Sequence, residues 1–293
     1  MGSGIANMLR PDDRWRWRAT RLSRRLRHRL RRSVRRPLAR WRALPSFLIL
    51  GAQKSGTSSL YAHLEGHPQV IGAVWKEVFF FGHNFSKGER WYRAHFPLRR
   101  RLARKNAVTG EATPYSLFHP CAAEQMAHTV PGARLIVLLR DPVDRTISHY
   151  WHQVERGRER LSLPDALAAE KDRLEEAEHA LQTDCSRFRY NHLHFAYTGR
   201  SLYAKQLERY ARHFDRDQLL VLKSEDFFHR PQRTFDRVTD FLGLERWTLP
   251  EAAPRNTGTY PETNAATRAH LERFFQPHNR ALYDFLNAEE PWW

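Results

Sequence analysis

From Ser46 onward, short apolar runs alternate with longer segments of helical periodicity. Phe47-Leu48-Ile49-Leu50 reads as a buried strand that runs straight into a glycine-containing turn, and Thr57 to Leu64 reads as the helix that leaves it. Arg134–Leu139 (RLIVLL) is the clearest strand, and the helix after it is expected from Pro142 to Arg156. Leu219–Leu222 is a further strand, followed by a helix near Pro231–Leu242, and Ala265–Leu286 reads as a C-terminal helix. Strands alternating with helices predict an α/β fold, a three-layer sandwich around a central, mainly parallel sheet. Residues 160–195, rich in Ala, Glu and Leu over 162–183, read as a helical insertion in this single domain of residues 46–293.

Residues 1–45 follow a different pattern. Leu22, Leu26, Leu30, Val34 and Leu38 recur at steps of four, which on a helix makes one apolar stripe, and the other face is almost all Arg. Such an arm suits an interfacial helix on anionic lipid or a polyanion-binding segment. The alternatives are a solvated helix packed on its own domain, or a disordered tail.

Charge sharpens this division. The chain has 293 residues, with 49 Lys+Arg against 32 Asp+Glu, a formal net charge of +17. Residues 1–42 hold fifteen Arg and two acids, which is +13 and leaves +4 for the rest. The excess belongs to the arm, so no specific nucleic-acid partner is expected for the domain. Cys121 and Cys185 are too few for a disulfide scaffold or a multi-Cys zinc site. No apolar run approaches the roughly 18 residues of a membrane span, and no signal-peptide core follows the basic N-terminus. The expectation is a cytoplasmic protein from a reducing compartment, peripheral at the inner membrane face if the arm binds lipid. No His/Cys cluster has metal-ligand spacing, so no metal is expected.

Two segments carry candidate chemistry. The first is Gly51-Ala52-Gln53-Lys54-Ser55-Gly56-Thr57-Ser58. A turn between a strand and a helix exposes backbone N–H groups and a helix N-terminus to an anion. Lys54 adds a full charge, and Ser55, Thr57 and Ser58 add hydroxyls. Gly51 and Gly56 have the spacing of the nucleotide-triphosphatase loop, but Thr57 stands where that loop has Lys. A shorter anion suits a Lys placed inside the turn; an ordinary glycine-containing turn is the plainer alternative. The second segment is Arg140-Asp141-Pro142-Val143-Asp144-Arg145-Thr146-Ile147-Ser148. Arg140 ends a strand where open α/β sheets bind ligands, and Ser148 lies two helical turns on. Together they can grip one phosphate. The alternative is a surface ion pair between Arg140 and Asp144.

As a pair, these segments resemble the sulfotransferases that use 3′-phosphoadenosine 5′-phosphosulfate (PAPS). Lys76-Glu77-Val78-Phe79-Phe80-Phe81-Gly82-His83-Asn84, Lys87-Gly88-Glu89-Arg90-Trp91-Tyr92, Gly110-Glu111-Ala112-Thr113-Pro114-Tyr115, Gly199-Arg200-Ser201-Leu202-Tyr203 and Asp240-Phe241-Leu242-Gly243-Leu244 look like the heparan sulfate N- and 3-O-sulfotransferase branch, which also contains bacterial enzymes. The likeness covers about residues 46–290. It implies PAPS as co-substrate, with Lys54, Ser55, Gly56, Thr57 and Ser58 on the 5′-phosphosulfate and Arg140 and Ser148 on the 3′-phosphate. It implies sulfuryl transfer to a hydroxyl or amine of a carbohydrate, glycolipid or small-molecule acceptor, with Lys54 on the leaving oxygen and Glu77 as base. His152, one turn after Ser148, matches a His of the N-sulfotransferases. By the residues alone, Glu77 equally suits a surface pair with Lys76, and His152 a structural role. The rival readings are a P-loop kinase or NTPase, and a polyanion-binding protein acting through the arm.

Two departures from the branch stand out. Ala112 replaces a Lys that helps position an anionic glycan. The C-terminal cofactor loop reads Arg255-Asn256-Thr257-Gly258-Thr259-Tyr260-Pro261, neutral where the branch has cations, so the N–H groups of Thr257, Gly258 and Thr259 are the candidates for capping the 3′-phosphate. The branch's C-terminal disulfide has no counterpart, because Cys121 and Cys185 lie elsewhere.

Overall fold

The computed structural model describes residues 35–250, 261–289 and 291–293. Among these, four strands form one sheet: β1 (Phe47–Gly51), β2 (Gly110–Ala112), β3 (Arg134–Leu139) and β4 (Leu219–Lys223). The order is β2-β1-β3-β4, and every pairing is parallel. The strands are nearly continuous apolar runs because both faces are covered, as a parallel sheet requires. Alternate residues feed two cores. Leu48, Leu50, Leu135, Val137 and Leu139 face one side, while Phe47, Ile49, Ala112, Ile136 and Leu138 face the other. This is the three-layer α/β sandwich expected from the sequence.

The helices in chain order are α1 (Thr57–Gly66), α2 (Glu89–Arg93), α3 (Arg99–Arg104), α4 (Ala122–Thr129), α5 (Pro142–Glu155), α6 (Leu163–Ala168), α7 (Glu170–Thr183), α8 (Tyr190–His194), α9 (Tyr203–Ala211), α10 (Ser224–His229), α11 (Pro231–Leu242) and α12 (Ala265–Leu286). α4 and α9 cover the first face through Met126, Tyr203, Leu207 and Tyr210. α1 and α11 cover the second through Leu60, Leu64, Phe235 and Val238. A third cluster joins α5, the insertion and α12 through Ile147, Tyr150, Ala166, Leu271 and Phe275. Local signals account for the helix ends. The Asp141 side chain accepts from Asp144 N and Pro142 opens α5. Gly243, at φ 68°, closes α11 in the left-handed conformation.

β2 is three residues long and was not foreseen as a strand. Its residues, Gly-Glu-Ala, have little strand propensity, and pairing with β1 on one side and hydrogen bonds from Ala73 and Glu77 on the other set their conformation. The end of the basic segment also packs on the domain: Arg35 donates to the carbonyls of Ala94 and Phe96, Arg42 Nη1 donates to Phe96 O at 2.8 Å, and Ala39 is fully buried. The stripe positions Leu22, Leu26, Leu30 and Val34 lie outside the described residues, while Leu38 is exposed. No helix among the described residues is long and apolar enough to cross a membrane.

One finding runs against the sequence reading. Cys121 and Cys185 are joined in a disulfide, with Cα atoms 6.2 Å apart across 64 residues. The bond ties the start of α4 to the chain leaving α7. Closing a loop of that length stabilises by about 4 kcal/mol in the chain-entropy account. Spacing along the chain did not reveal it, because the insertion folds back over α4 before the thiols meet. A disulfide belongs to oxidising surroundings, so the small cysteine count is no argument for a reducing compartment.

Candidate functional site

The strand order reverses between β1 and β3: from β1 the chain goes out to β2, and from β3 it goes to β4 on the opposite side. The carboxyl ends of these two central strands therefore open a crevice, the place where open α/β sheets take their ligands. Lys54 and Arg140 leave those two ends. Arg140 Nη1 donates to Lys54 O at 3.3 Å, so the two cofactor segments read from the sequence meet directly.

The turn is held in an uncommon shape. Lys54 has φ 72° and Gly56 φ 88°. A Cβ on Gly56 would lie 2.9 Å from the Phe228 ring, so the position needs glycine on both counts. Ser224 Oγ donates to Ser55 O at 2.8 Å and pins the turn to α10. The first turn of α1 has no side-chain cap, which leaves its N–H groups and the positive end of the helix for an anion. Ser55 Oγ is fully buried with no hydrogen-bond partner. A buried unpaired hydroxyl is costly, and an oxyanion in the turn would satisfy it. Thr57 is buried at the first position of α1, and Ser58 is half-buried beside it.

Arg140 is oriented from behind. Tyr203 donates its hydroxyl to Arg140 O at 2.9 Å. The ion pair with Asp144 exists but is long, at 3.9 Å, and Asp144 is shared with Arg268 at 2.6 Å. Ser148 is buried on the inner face of α5. His152, one turn on, is half-buried; burial and then the Lys54 charge hold its pKa down at about 4. Its neighbour in charge is thus the lysine of the turn. Thr257, Gly258 and Thr259 lie outside the described residues.

Glu77 stands on the other flank. Its N–H donates to Ala112 O at 3.0 Å, and its φ is 63°. The carboxylate is 43% exposed and accepts from Lys76 Nζ at 2.8 Å, so the pair with Lys76 is made. Behind it sits Glu111, fully buried, accepting from Tyr92 OH at 2.6 Å, Thr113 Oγ1 at 2.8 Å and Val78 N at 3.2 Å. Burial pushes the Glu111 pKa up while these bonds pull it down. Through Val78, Glu111 fixes the backbone next to Glu77.

Three residues that sequence reasoning did not single out border the site. Arg200 is buried, and its Nη1 donates to Gln53 Oε1 at 2.6 Å, inside the turn. Its Nη2 donates to Leu193 O at 2.8 Å, and its guanidinium lies 5.0 Å over the Tyr115 ring. Burial lowers its pKa to about 9, while Tyr115 and Glu77 raise it. The Tyr115 hydroxyl and His192 Nδ1 are 2.6 Å apart. The available signal was the Gly199–Tyr203 motif, whose Arg200 and Tyr203 each support one of the two cofactor segments.

Around Arg200 is a wall of rings: Phe79, His83, Tyr115, Phe118, His119 and His192. Burial, more than any neighbouring charge, lowers the histidine pKa values to about 4 for His83, about 3 for His119 and about 2 for His192. All three are neutral at pH 7. No group of three His, Cys, Asp or Glu among the described residues is placed to hold a metal ion.

Known proteins resemble this chain in sequence and fold. The sulfotransferase domain family matches residues 44–253. The chain is 26% identical to the membrane-associated sulfotransferase kil1 of Dictyostelium discoideum, covering 85% of this chain and 66% of that protein. It is 28% identical to heparan sulfate glucosamine 3-O-sulfotransferase 3B1 of Homo sapiens, covering 85% of this chain and 65% of that protein. The chain thus spans just under two thirds of the length of these relatives. The crystal structure of a sulfotransferase from Alicyclobacillus acidocaldarius superposes with a TM-score of 0.66 at 30% identity, covering 85% of this chain and 98% of that one. With the crevice at the β1/β3 reversal and a domain match over most of its length, the chain belongs to the sulfotransferase family.

Proposed function

We propose that the protein moves the sulfuryl group of PAPS to a hydroxyl or amine of a carbohydrate or glycolipid acceptor. The observation that carries this reading is the meeting of the Lys54 turn with Arg140 at the sheet's reversal point, beside a buried and unpaired Ser55 hydroxyl. The donor set suits an anion with two phosphate positions. The N–H groups and hydroxyls of Ser55, Gly56, Thr57 and Ser58 would hold the 5′ end. Arg140 and Ser148 would hold the 3′-phosphate, and Thr257, Gly258 and Thr259 would close over it.

PAPS supplies an activated sulfuryl group on a phosphate leaving group. The chain supplies alignment and charge. Lys54 is a mobile point charge that can follow the oxygen on which negative charge collects. Glu77 would take the acceptor proton on its exposed carboxylate, of which Lys76 engages Oε1. Gln53 and Arg200 brace the turn, and Glu111 braces Glu77. His152, neutral and in the electrostatic field of Lys54, would be a second proton acceptor. Residues 1–45 would hold the enzyme against an anionic membrane surface through their excess of Arg.

The test is a PAPS-dependent acceptor screen read by mass shift, run beside binding of 3′-phosphoadenosine 5′-phosphate (PAP). Tight PAP binding with a gain of one sulfuryl mass on a glycan or glycolipid supports the reading. Absence of PAP binding overturns it. Liposome sedimentation with and without residues 1–45 tests the arm.

A further inference from the structure

The insertion of residues 160–195 is pinned at its root and at its tip. At the root, Glu159 accepts from Arg173 Nη1 at 2.5 Å and from Tyr197 OH at 2.8 Å. Glu170 accepts from the N–H groups of Thr198 at 2.8 Å and Gly199 at 2.9 Å. At the tip, Cys185 is bonded to Cys121, two residues after His119 of the ring wall. The residues that follow Cys185 are therefore held, yet they carry two large wet rings. Phe188 is 54% exposed and Tyr190 is 45% exposed, with ring centroids 6.4 Å apart.

These rings reach both flanks of the site. Phe188 packs on His83 at 4.9 Å, and His83 stacks on Phe79 at 5.7 Å, two residues after Glu77. Both His83 nitrogens are buried without partners. Tyr190 packs on His194 at 4.5 Å. His194 Nδ1 lies 3.3 Å from Arg158 Nη1, and both residues are electrostatic neighbours of His152. The tip thus spans from the Glu77 side to the His152 side.

We propose that Phe188 and Tyr190, clamped by the Cys121–Cys185 disulfide, form an acceptor subsite that stacks on the C–H face of a sugar ring. The inference rests on the sulfotransferase reading and adds where the acceptor is gripped. The chemistry of the lip fits this occupant. Two half-wet aromatic faces take an apolar ring face without closing over it. The Tyr190 hydroxyl and the exposed Arg187 meet its polar rim. The crosslink matters because an exposed aromatic on a free loop would lose its ordering entropy at each binding event.

The test compares the wild type with Phe188→Ala, Phe188→Tyr and the double variant Cys121→Ala/Cys185→Ala. The acceptor probes are an unsulfated glucuronosyl-glucosamine hexasaccharide and p-nitrophenol. Phe188→Ala should raise KM for the hexasaccharide about tenfold, with kcat and PAP affinity unchanged. Phe188→Tyr should restore it, and the cysteine variant should reproduce the KM effect. Saturation-transfer NMR should show the hexasaccharide ring protons touched in the wild type and released in Phe188→Ala. Unchanged KM and NMR contacts in Phe188→Ala overturn the subsite while leaving sulfuryl transfer standing. Phe188-dependent NMR contacts in a protein that neither binds PAP nor transfers sulfuryl support the subsite and overturn the sulfotransferase reading. A Phe188-dependent response to p-nitrophenol alone, or to neither probe, overturns the sugar assignment.

Discussion

On the proposed reading, the nucleotide side and the acceptor side of the crevice are built by different means. The nucleotide side hangs on the sheet. Its turn and its arginine leave adjacent parallel strands, and its anion-facing groups are backbone N–H groups, hydroxyls and two placed cations. The acceptor side hangs on loops and on the insertion. It is made of rings, buried neutral histidines and a crosslink between residues 64 apart. The first is rigid because it is short in sequence and central in the fold. The second exists only after distant segments have packed, so it is the part free to differ between acceptors while the transfer chemistry stays fixed.

Replacing Lys54 offers the strongest challenge to this division. Lys54→Ala should lower kcat at least about 10³-fold if Lys54 faces the leaving oxygen as proposed, because the turn holds no substitute cation. Acceptor KM should hardly move. Steady-state rates with labelled PAPS check it, and a rate near wild type would take the turn out of the chemistry altogether. Glu77→Gln is the counterpart on the acceptor side, with an expected kcat loss of about 10²-fold. PAP affinity, measured by calorimetry, should stay nearly intact. If affinity and rate fall together, Glu77 is holding structure with Lys76 rather than taking a proton.

Arg140→Ala should act on the nucleotide side alone. PAP affinity should drop on the order of 10–100-fold, the scale of a lost charge-assisted pair. Affinity for adenosine 5′-phosphosulfate, which lacks the 3′-phosphate, should change little. Equal weakening of both nucleotides would place Arg140 on the turn, through Lys54 O, and not on the phosphate.

The same division governs what the sequence revealed. β1, β3, α1, α5, α11 and α12 were legible because each combines a sharp apolar period with a local stop or cap, such as Pro142 or Gly243. Lys54 and Arg140 were legible because a strand end fixes a residue's place without knowledge of the rest. The pairing of Cys121 with Cys185, the burial of Arg200 against Gln53, and the ring wall were not legible. Each depends on where the insertion lands, and no short-range pattern encodes that. β2 falls between: its residues were read as a motif, but its being a strand depends on β1.

Acid should separate the two regions as well, through stability and not through turnover. His119 and His192 have native pKa values near about 3 and about 2, lowered chiefly by burial, with Arg200 and Arg209 adding repulsion. In the unfolded chain a histidine titrates near about 6.5. Between those values the unfolded state binds more protons than the native one, so stability rises with pH there and falls on acidification. Above about pH 6.5 both states are neutral and nothing is lost. Below it, each buried histidine removes about 1.4 kcal/mol per pH unit until its native pKa is reached. The cost falls on the acceptor wall and on α5, where burial also lowers the pKa values of His149 and His152, while the turn after β1 and the end of β3 hold no buried histidine. From about pH 7 to about pH 5, hydrogen exchange corrected for intrinsic rates should therefore speed up in peptides covering residues 79–83, 115–119 and 188–193. Peptides covering residues 47–60 and 134–142 should keep their protection. Equal loss in both sets would mean that the wall and the sheet open as one unit, and that the acceptor side is not the separately adjustable half of the crevice.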